Sequence, residues 1–360
     1  MQKLFLVLLG FGAITLKAQQ AENLVIITTD GYRWQEVFGG MDAAIANNSA
    51  YNQKDSAYLY KKYGGPDADS RRKALMPFFW NTVARQGQLW GNRWKGSEVN
   101  VSNPYWFSYP GYSEIFCGYV DTAVNSNGYR ANPNTNFLEF LNHQPGFKGR
   151  VAAFGAWDAF DRILNEERSG FSVVSAFDPC GGAHPNEHEK LINALLQDAH
   201  KQWHNDECYD VFTHYEAMET LKNRKPRVLY IAYGETDEWA HEREYRSYLD
   251  AAHQVDAWIK EIWDFLQSDP QYRNKTTLLI TTDHGRGDSI KTKWTSHGSS
   301  VEDAYQIWFA AMGPGIAPKG EMNHTPLVYQ KQFAQTLAGI LGLRFTAEHP
   351  VAPGIKEIGQ

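Results

Sequence analysis

Three short apolar runs in this chain stop abruptly at acidic or acidic-histidine clusters. That repetition limits the possible folds more than any other feature. Leu24 to Thr28 runs into Asp30-Gly31. Val228 to Tyr233 runs into a segment holding Asp237 and, four residues on, His241. Thr277 to Thr281 runs into Asp283-His284-Gly285. Each run is a few residues long and lacks clean polar alternation, as strands buried on both faces of a parallel sheet do. Arg150 to Phe154, Phe171 to Ala176 and Ile307 to Ala311 read the same way. Between them, Leu75 to Gln86, Asn136 to Asn142, Glu187 to His204, Tyr245 to Gln267 and Pro326 to Leu341 carry apolar residues at three- and four-residue spacing, as helices with one buried face do. Thr325-Pro326 suits the start of the last helix and Gly342 its stop. The alternation predicts an α/β fold, with a mostly parallel central sheet flanked by helices on both faces and small cap insertions.

Residues 19–360 read as one such domain, since no boundary between independent units stands out. The stretch from Met41 to Arg72 is polar and poor in strand signal, and is expected to form an ordered excursion or small cap. Asp178 to Glu187, rich in Gly and Pro, reads as a loop. At the N-terminus, Lys3 precedes an apolar stretch from Leu4 to Leu16, and Leu16-Lys17-Ala18 resembles a small-residue cleavage site. The stretch is too short to span a bilayer comfortably, so the expectation is a signal peptide over 1–18 and export to the periplasm or the exterior, without stable membrane insertion. Export would permit a disulfide. Cys180 and Cys208 could pair, leaving Cys117 free, and three separate thiols are an equal alternative.

Hydrophobic residues make up 42% of the chain and charged residues 21%, enough apolar content for a sizeable core. The formal net charge of -6 comes with no basic block, which argues against duplex nucleic acid as a partner. It does not exclude a small anionic substrate, because local cations decide that inside a cleft.

Ligands of open parallel sheets bind beyond the carboxyl ends of the strands, where the three clusters fall. Taken singly, each has a plain reading. Asp30 can cap a turn, Asp237 and His241 can be a surface i,i+4 pair, and His297, in the loop Trp294 to Ser300, can be a solvated histidine. Taken together, three carboxylates (Asp30, Asp237, Asp283) and three imidazoles (His241, His284, His297) are about what two four-coordinate cations require. Mixed Asp and His ligands favour zinc, although manganese or iron would also fit. For a nucleophile, Ser108 precedes Tyr109-Pro110-Gly111, near which a helix is expected to begin. A hydroxyl at a helix N-terminus sits in positive potential that suits an alkoxide or a phosphate. Ser113 is the rival, placed inside the helix.

In order along the chain, "TTDGYRW", "FSYPGYSEIFCGY", "YGETDEWAH", "TTDHGRGD" and "SHG" resemble the alkaline-phosphatase superfamily, closest to its type I phosphodiesterase and nucleotide pyrophosphatase branch. The resemblance spans about residues 24 to 297. It implies that Asp30, Asp283, His284 and Ser108 hold one metal ion and that Asp237, His241 and His297 hold the other. It also implies that Ser108 attacks phosphorus to give a phosphoseryl intermediate, and that a downstream Asn steadies a phosphoryl oxygen. Asn127 is the candidate, with Asn125 and Asn132 as alternatives.

Two departures bear on the substrate. Phosphodiesterases of this branch usually carry Thr followed by Phe-Pro-Asn-His, where this chain has Ser108 followed by Tyr109-Pro110-Gly111-Tyr112. Sulfatases need an Arg where Tyr112 stands. No segment clearly supplies the Arg with which alkaline phosphatases grip a monoester dianion, which favours a diester. The expectation is an exported two-metal phosphoric ester hydrolase acting on a small-molecule phosphate ester. Alternatives are a phosphomonoesterase, a sulfatase or phosphonate hydrolase of the same superfamily, and a non-catalytic exported binding protein. Trp34, Tyr105, Trp106, Tyr112 and Trp157 are candidates for the leaving-group pocket, and packing explains each equally well.

Overall fold

Along β1 (Asn23–Thr29) successive side chains enter opposite cores. Val25 and Ile27 join one buried cluster, Leu24 and Ile26 the other. That is why the run shows no polar alternation: both faces of the strand are covered. The computed structural model describes residues 20–359, so the expected signal peptide at 1–18 lies outside the described residues. Ten further strands follow in chain order. They are β2 (Gly87–Trp90), β3 (Val99–Asn100), β4 (Val151–Gly155), β5 (Val173–Ser175), β6 (Val228–Tyr233), β7 (Thr276–Thr281), β8 (Gln306–Ile307), β9 (Phe309–Met312), β10 (Gly320–Glu321) and β11 (Val328–Tyr329). Eight of the eleven form one sheet in the order β10-β2-β9-β7-β1-β6-β4-β5, while β11-β3-β8 form a small second sheet. β1 pairs in parallel with β6 on one side and β7 on the other. β9 is the exception, antiparallel to both β7 and β2.

Helices cover both faces. The longest, Tyr245–Ser268, buries Tyr248, Leu249, Ala252, Val255, Ile259, Ile262 and Leu266 at three- and four-residue spacing against the Val25–Ile27 face. Truncating one such leucine to Ala would cost about 2–5 kcal/mol. Ser108–Cys117 and Phe333–Ile340 cover the other face. Asn136 starts Phe137–Asn142 with a capping box, its side chain accepting from the Glu139 N–H. Met41 to Arg72 carries helices and no strand. It folds into Ala43–Ala46, Ser56–Tyr63 and Ala68–Leu75, each capped by an Asp, and ties to the long helix through Tyr58 and Tyr63 on Asp250. Asp178 to Glu187 is a loop up to the first residue of the next helix.

Several element boundaries differ from the sequence reading. Leu75 to Gln86 is not one helix. Met76 precedes Pro77 and leaves the helical region, and the Asp256 carboxylate then accepts from the Phe78 and Phe79 N–H groups, restarting the chain as a π-turn over Phe79–Val83. The last helix starts at Phe333 rather than Pro326, because Val328 and Tyr329 are taken into the small sheet beside Val99 and Asn100. Glu187 to His204 ends at Asp198, beyond which Trp203 bridges to Glu207. Asp210–Asn223, a helix the sequence reading missed, adds Ala217, Met218 and Leu221 to the core. Cys180 and Cys208 do not pair. All three thiols are free and buried, with Cys180 beside Asn193 and Cys208 beside Thr213. Among the described residues no helix is long and apolar enough to cross a membrane.

Candidate metal and nucleophile site

Because β6, β1 and β7 are neighbours, their carboxyl ends deliver Asp237, Asp30 and Asp283-His284 to one edge of the sheet. The turn after Asp30 requires glycine. Gly31 has φ +55°, and a Cβ there would lie 2.4 Å from Asp237 Oδ1 and 2.8 Å from Arg286 Nη1.

Each carboxylate uses one oxygen as an anchor and turns the other inward. Asp30 Oδ2 accepts from the Tyr112 hydroxyl at 2.9 Å, and Asp283 Oδ1 accepts from the Gly31 N–H at 3.1 Å. The free oxygens, Asp30 Oδ1 and Asp283 Oδ2, lie 3.3 and 3.4 Å from His284 Nε2, and Ser108 Oγ lies 3.3 Å from the same nitrogen. His284 Nδ1 faces the Gly285 carbonyl at 3.0 Å. An N–H placed there leaves Nε2 as the nitrogen aimed inward. Asp30, Asp283, His284 and Ser108 are thus brought together as the sequence predicts.

The second set also meets. Asp237 Oδ2 lies 2.9 Å from His241 Nε2 and 3.8 Å from His297 Nε2, and the two imidazole nitrogens are 3.0 Å apart. The clusters adjoin, since the His284 and His297 rings stack at 4.0 Å and His284 Nε2 is 3.8 Å from Asp237 Oδ1.

Crowding three carboxylates perturbs their protonation. Burial, then the Asp237 charge, raises Asp30. Burial, then the Asp30 charge, raises Asp283 well above the ordinary range. Burial also pushes Asp237 upward, but the Arg286 guanidinium and the two imidazoles overcome it and hold Asp237 well below that range. His284, lowered by burial but raised more by Asp283 and Asp30, reaches about 9. Burial and then the His284 charge keep His297 well below its usual value. Protein side chains stabilise this concentration of negative charge only in part, and a divalent cation held there would complete the compensation.

The donor set fits divalent cations. Asp30, Asp283 and His284 place ligand atoms within 4.8 Å of one another, as do Asp237, His284 and His297. Asp30 Oδ1, Asp283 Oδ2 and His297 Nδ1 are buried without a hydrogen-bond partner. Convergent, orphaned oxygen and nitrogen donors are what a metal site offers.

Ser108 is the first residue of the helix Ser108–Cys117 and is 6% exposed. Ser113, the rival, is turned away and accepts from Asn132 Nδ2 at 2.8 Å. Asn132 is therefore occupied elsewhere, and Asn125 and Asn127 are both exposed. Asn127 accepts from the Tyr109 N–H at 3.0 Å, which seats it at the start of the helix that Ser108 begins. Of the five aromatics, Tyr112 turns out to anchor Asp30, and Trp34 is buried with its indole N–H on Gln306. Tyr105 and Trp106 flank the histidine loop, where the Trp106 carbonyl accepts from the Gly298 N–H at 2.9 Å. Trp157 packs on Phe160.

Sequence reasoning missed three residues here. Arg286 is 1% exposed and pairs with Asp237. Its only signal was its place inside the Asp-His-Gly-Arg-Gly-Asp run. Glu207 and Glu238 stand behind the second cluster. Burial, then the Glu238 charge, raises Glu207, and burial, then the Asp237 charge, raises Glu238 to about 7.

The sequence pattern of the Metalloenzyme superfamily matches residues 200–335, a span that holds Asp237, His241, Asp283, His284 and His297. No curated protein matches the chain in sequence. Solved structures share the fold at low identity. The alkaline phosphatase PafA aligns over 96% of this chain and 100% of its own, at 10% identity and TM-score 0.60. A 2-O GAG sulfatase aligns over 91% and 72%, at 17% and 0.55. A phosphonate monoester hydrolase from Silicibacter pomeroyi aligns over 92% and 75%, at 14% and 0.54. The Metalloenzyme superfamily pattern thus lies across five of the predicted ligands, and the fold around them is the one shared with these phosphatase, sulfatase and phosphonate hydrolase structures.

Proposed function

We propose that this protein is a two-metal phosphoric ester hydrolase that prefers diesters and uses Ser108 as its nucleophile. The observation that carries this reading is the convergence of Ser108 Oγ, Asp30 Oδ1 and Asp283 Oδ2 on His284 Nε2 at 3.3–3.4 Å. Bound divalent cations, with zinc favoured by the Asp and His donors, would supply the positive charge that lowers the hydroxyl pKa and neutralises the developing negative charge. Asp30, Asp283 and His284 would hold one ion, and Asp237, His241 and His297 the other. The Ser108 oxygen forms a bond to phosphorus as the bond to the ester oxygen breaks and the alcohol leaves. Water then cleaves the phosphoseryl bond and regenerates the hydroxyl. Its place at a helix N-terminus puts Ser108 among unpaired N–H groups that favour an anion. Asn127, anchored through its oxygen, keeps its NH₂ available as a donor to a phosphoryl oxygen.

The diester preference rests on Arg286. It is the arginine paired with the ligand set, and its donors go to Asp237, Trp294 O and Thr295 O, so it presents no open fork to a monoester dianion. Tyr112, where sulfatases carry Arg, is committed to Asp30 and supports no sulfate preference.

A panel of nitrophenyl mono-, di-, phosphonate and sulfate esters tests the reading. The diester should turn over fastest. Ser108→Ala should lower its kcat at least about a thousandfold, and rapid quenching should trap phosphate on Ser108. Full turnover by the Ala variant would end the covalent mechanism. The Lys3, Leu4–Leu16 and Ala18 pattern supports export. N-terminal sequencing of mature protein beginning at Gln19 would bear this out, and an unprocessed chain would not.

A further inference from the structure

We propose that Arg286 is the positioning residue of the second ligand cluster, tying Asp237 to the loop that delivers His297; this rests on the two-ion reading above. Three observations carry it. Arg286 lies two residues past His284, so it leaves the same tight turn that builds the first cluster. Its Nη1 bonds to Asp237 Oδ1. Its Nε and Nη2 donate to the carbonyls of Trp294 and Thr295, both at 2.8 Å. Those carbonyls end the 3-10 turn Lys291–Thr295, two residues before His297.

One planar guanidinium thus spans the two ligand-bearing segments. With Oδ1 of Asp237 held by Arg286, Oδ2 is left facing His241 and His297. A lysine has a single point charge and cannot satisfy three acceptors in one plane. Arg286 is fully buried, so its charge is compensated inside the protein by Asp237 and two carbonyl dipoles. Gly31 leaves the space: a Cβ at that position would stand 2.8 Å from Arg286 Nη1. Partners that orient a ligand from behind are worth about 10–100-fold in metal affinity.

The test is metal binding, independent of turnover. The full chain, stripped with chelator, is titrated with Zn²⁺ against a competing chromophoric chelator, and bound ions are counted after dialysis. Wild type should bind two ions. Arg286→Met should keep one with unchanged affinity and weaken the other about 10–100-fold. Arg286→Lys, which restores charge but not the fork, should recover only part of the loss. Circular dichroism and the melting temperature monitor folding. If Arg286→Met does not fold, Arg286→Lys decides alone. Two ions bound as in wild type by the folded variant would overturn the proposal, as would equal weakening of both sites, the sign of general loosening. A wild-type chain that binds fewer than two ions would instead overturn the two-ion reading.

Discussion

Asp30, Asp283 and His284 stand at the ends of neighbouring strands with side chains 9%, 0% and 0% exposed, whereas His241 reaches the site from the last turn of a helix with its side chain 41% exposed. The first cluster inherits its geometry from the sheet. β1 and β7 are hydrogen-bonded neighbours, and Gly31 N–H is bonded directly to Asp283. The second draws on a helix and a loop, and side chains hold these in place. Backbone-built ligand sets are rigid, while sets assembled by side chains depend on their struts.

The sharpest way to break this contrast is to remove one ligand from each cluster. Asp283→Ala should abolish binding of one ion and lower diester turnover at least about a thousandfold, beyond the 10–100-fold typical of outer partners. His241→Ala, half in solvent, should cost less than that. Equal losses in kcat/KM and in ion count would dissolve the distinction.

Next in size is Gly31→Ala. It forces φ +55° on a residue with a side chain, at about 1–3 kcal/mol, and drives a methyl into Asp237 and Arg286. Chemical unfolding should show the loss, and metal counting should show both ions weakened, because Gly31 touches both clusters.

Tyr112→Phe removes the hydroxyl that anchors Asp30 and keeps the ring. It should weaken the first-cluster ion about tenfold, at the low end for such partners, and leave the second unchanged. A second-site effect would mean the clusters are coupled more closely than their separate supports indicate.

His214 gives the smallest effect and serves as a control away from both clusters. Burial pushes it down to about 4, more than the Glu261 carboxylate can offset. A lowered folded pKa means that the native state prefers neutral imidazole, so the contribution is complete above about pH 6.5 and is lost as pH falls toward 4. Between pH 7 and 5.5 wild type should lose about 1 kcal/mol that His214→Gln does not. Identical urea-unfolding profiles for the two would refute it.

The same contrast explains what the sequence made legible. Asp30, Asp237 and Asp283 were visible because each follows a strand that reads unambiguously, and a parallel sheet puts such ends on one edge. Their supports were not. Tyr112 reads as a pocket aromatic, and Arg286 carries no signal of direction, since both act through contacts between residues tens of positions apart. The direction of β9 was equally hidden, because a four-residue apolar strand looks the same either way. Thr325-Pro326 is a sound local helix start that lost to strand pairing by Val328 and Tyr329, a tertiary demand no local pattern records.

The absence of any sulfur cross-link among the described residues has a practical outcome. Cys117 ends the helix that Ser108 begins, is fully buried, and burial pushes its thiol up to about 12. It can react with an alkylating reagent only when the end of that helix and the Asn132–Asn134 segment beside it part. Its labelling rate is therefore a built-in clock for how often the helix that carries Ser108 opens, readable by mass spectrometry without an added probe.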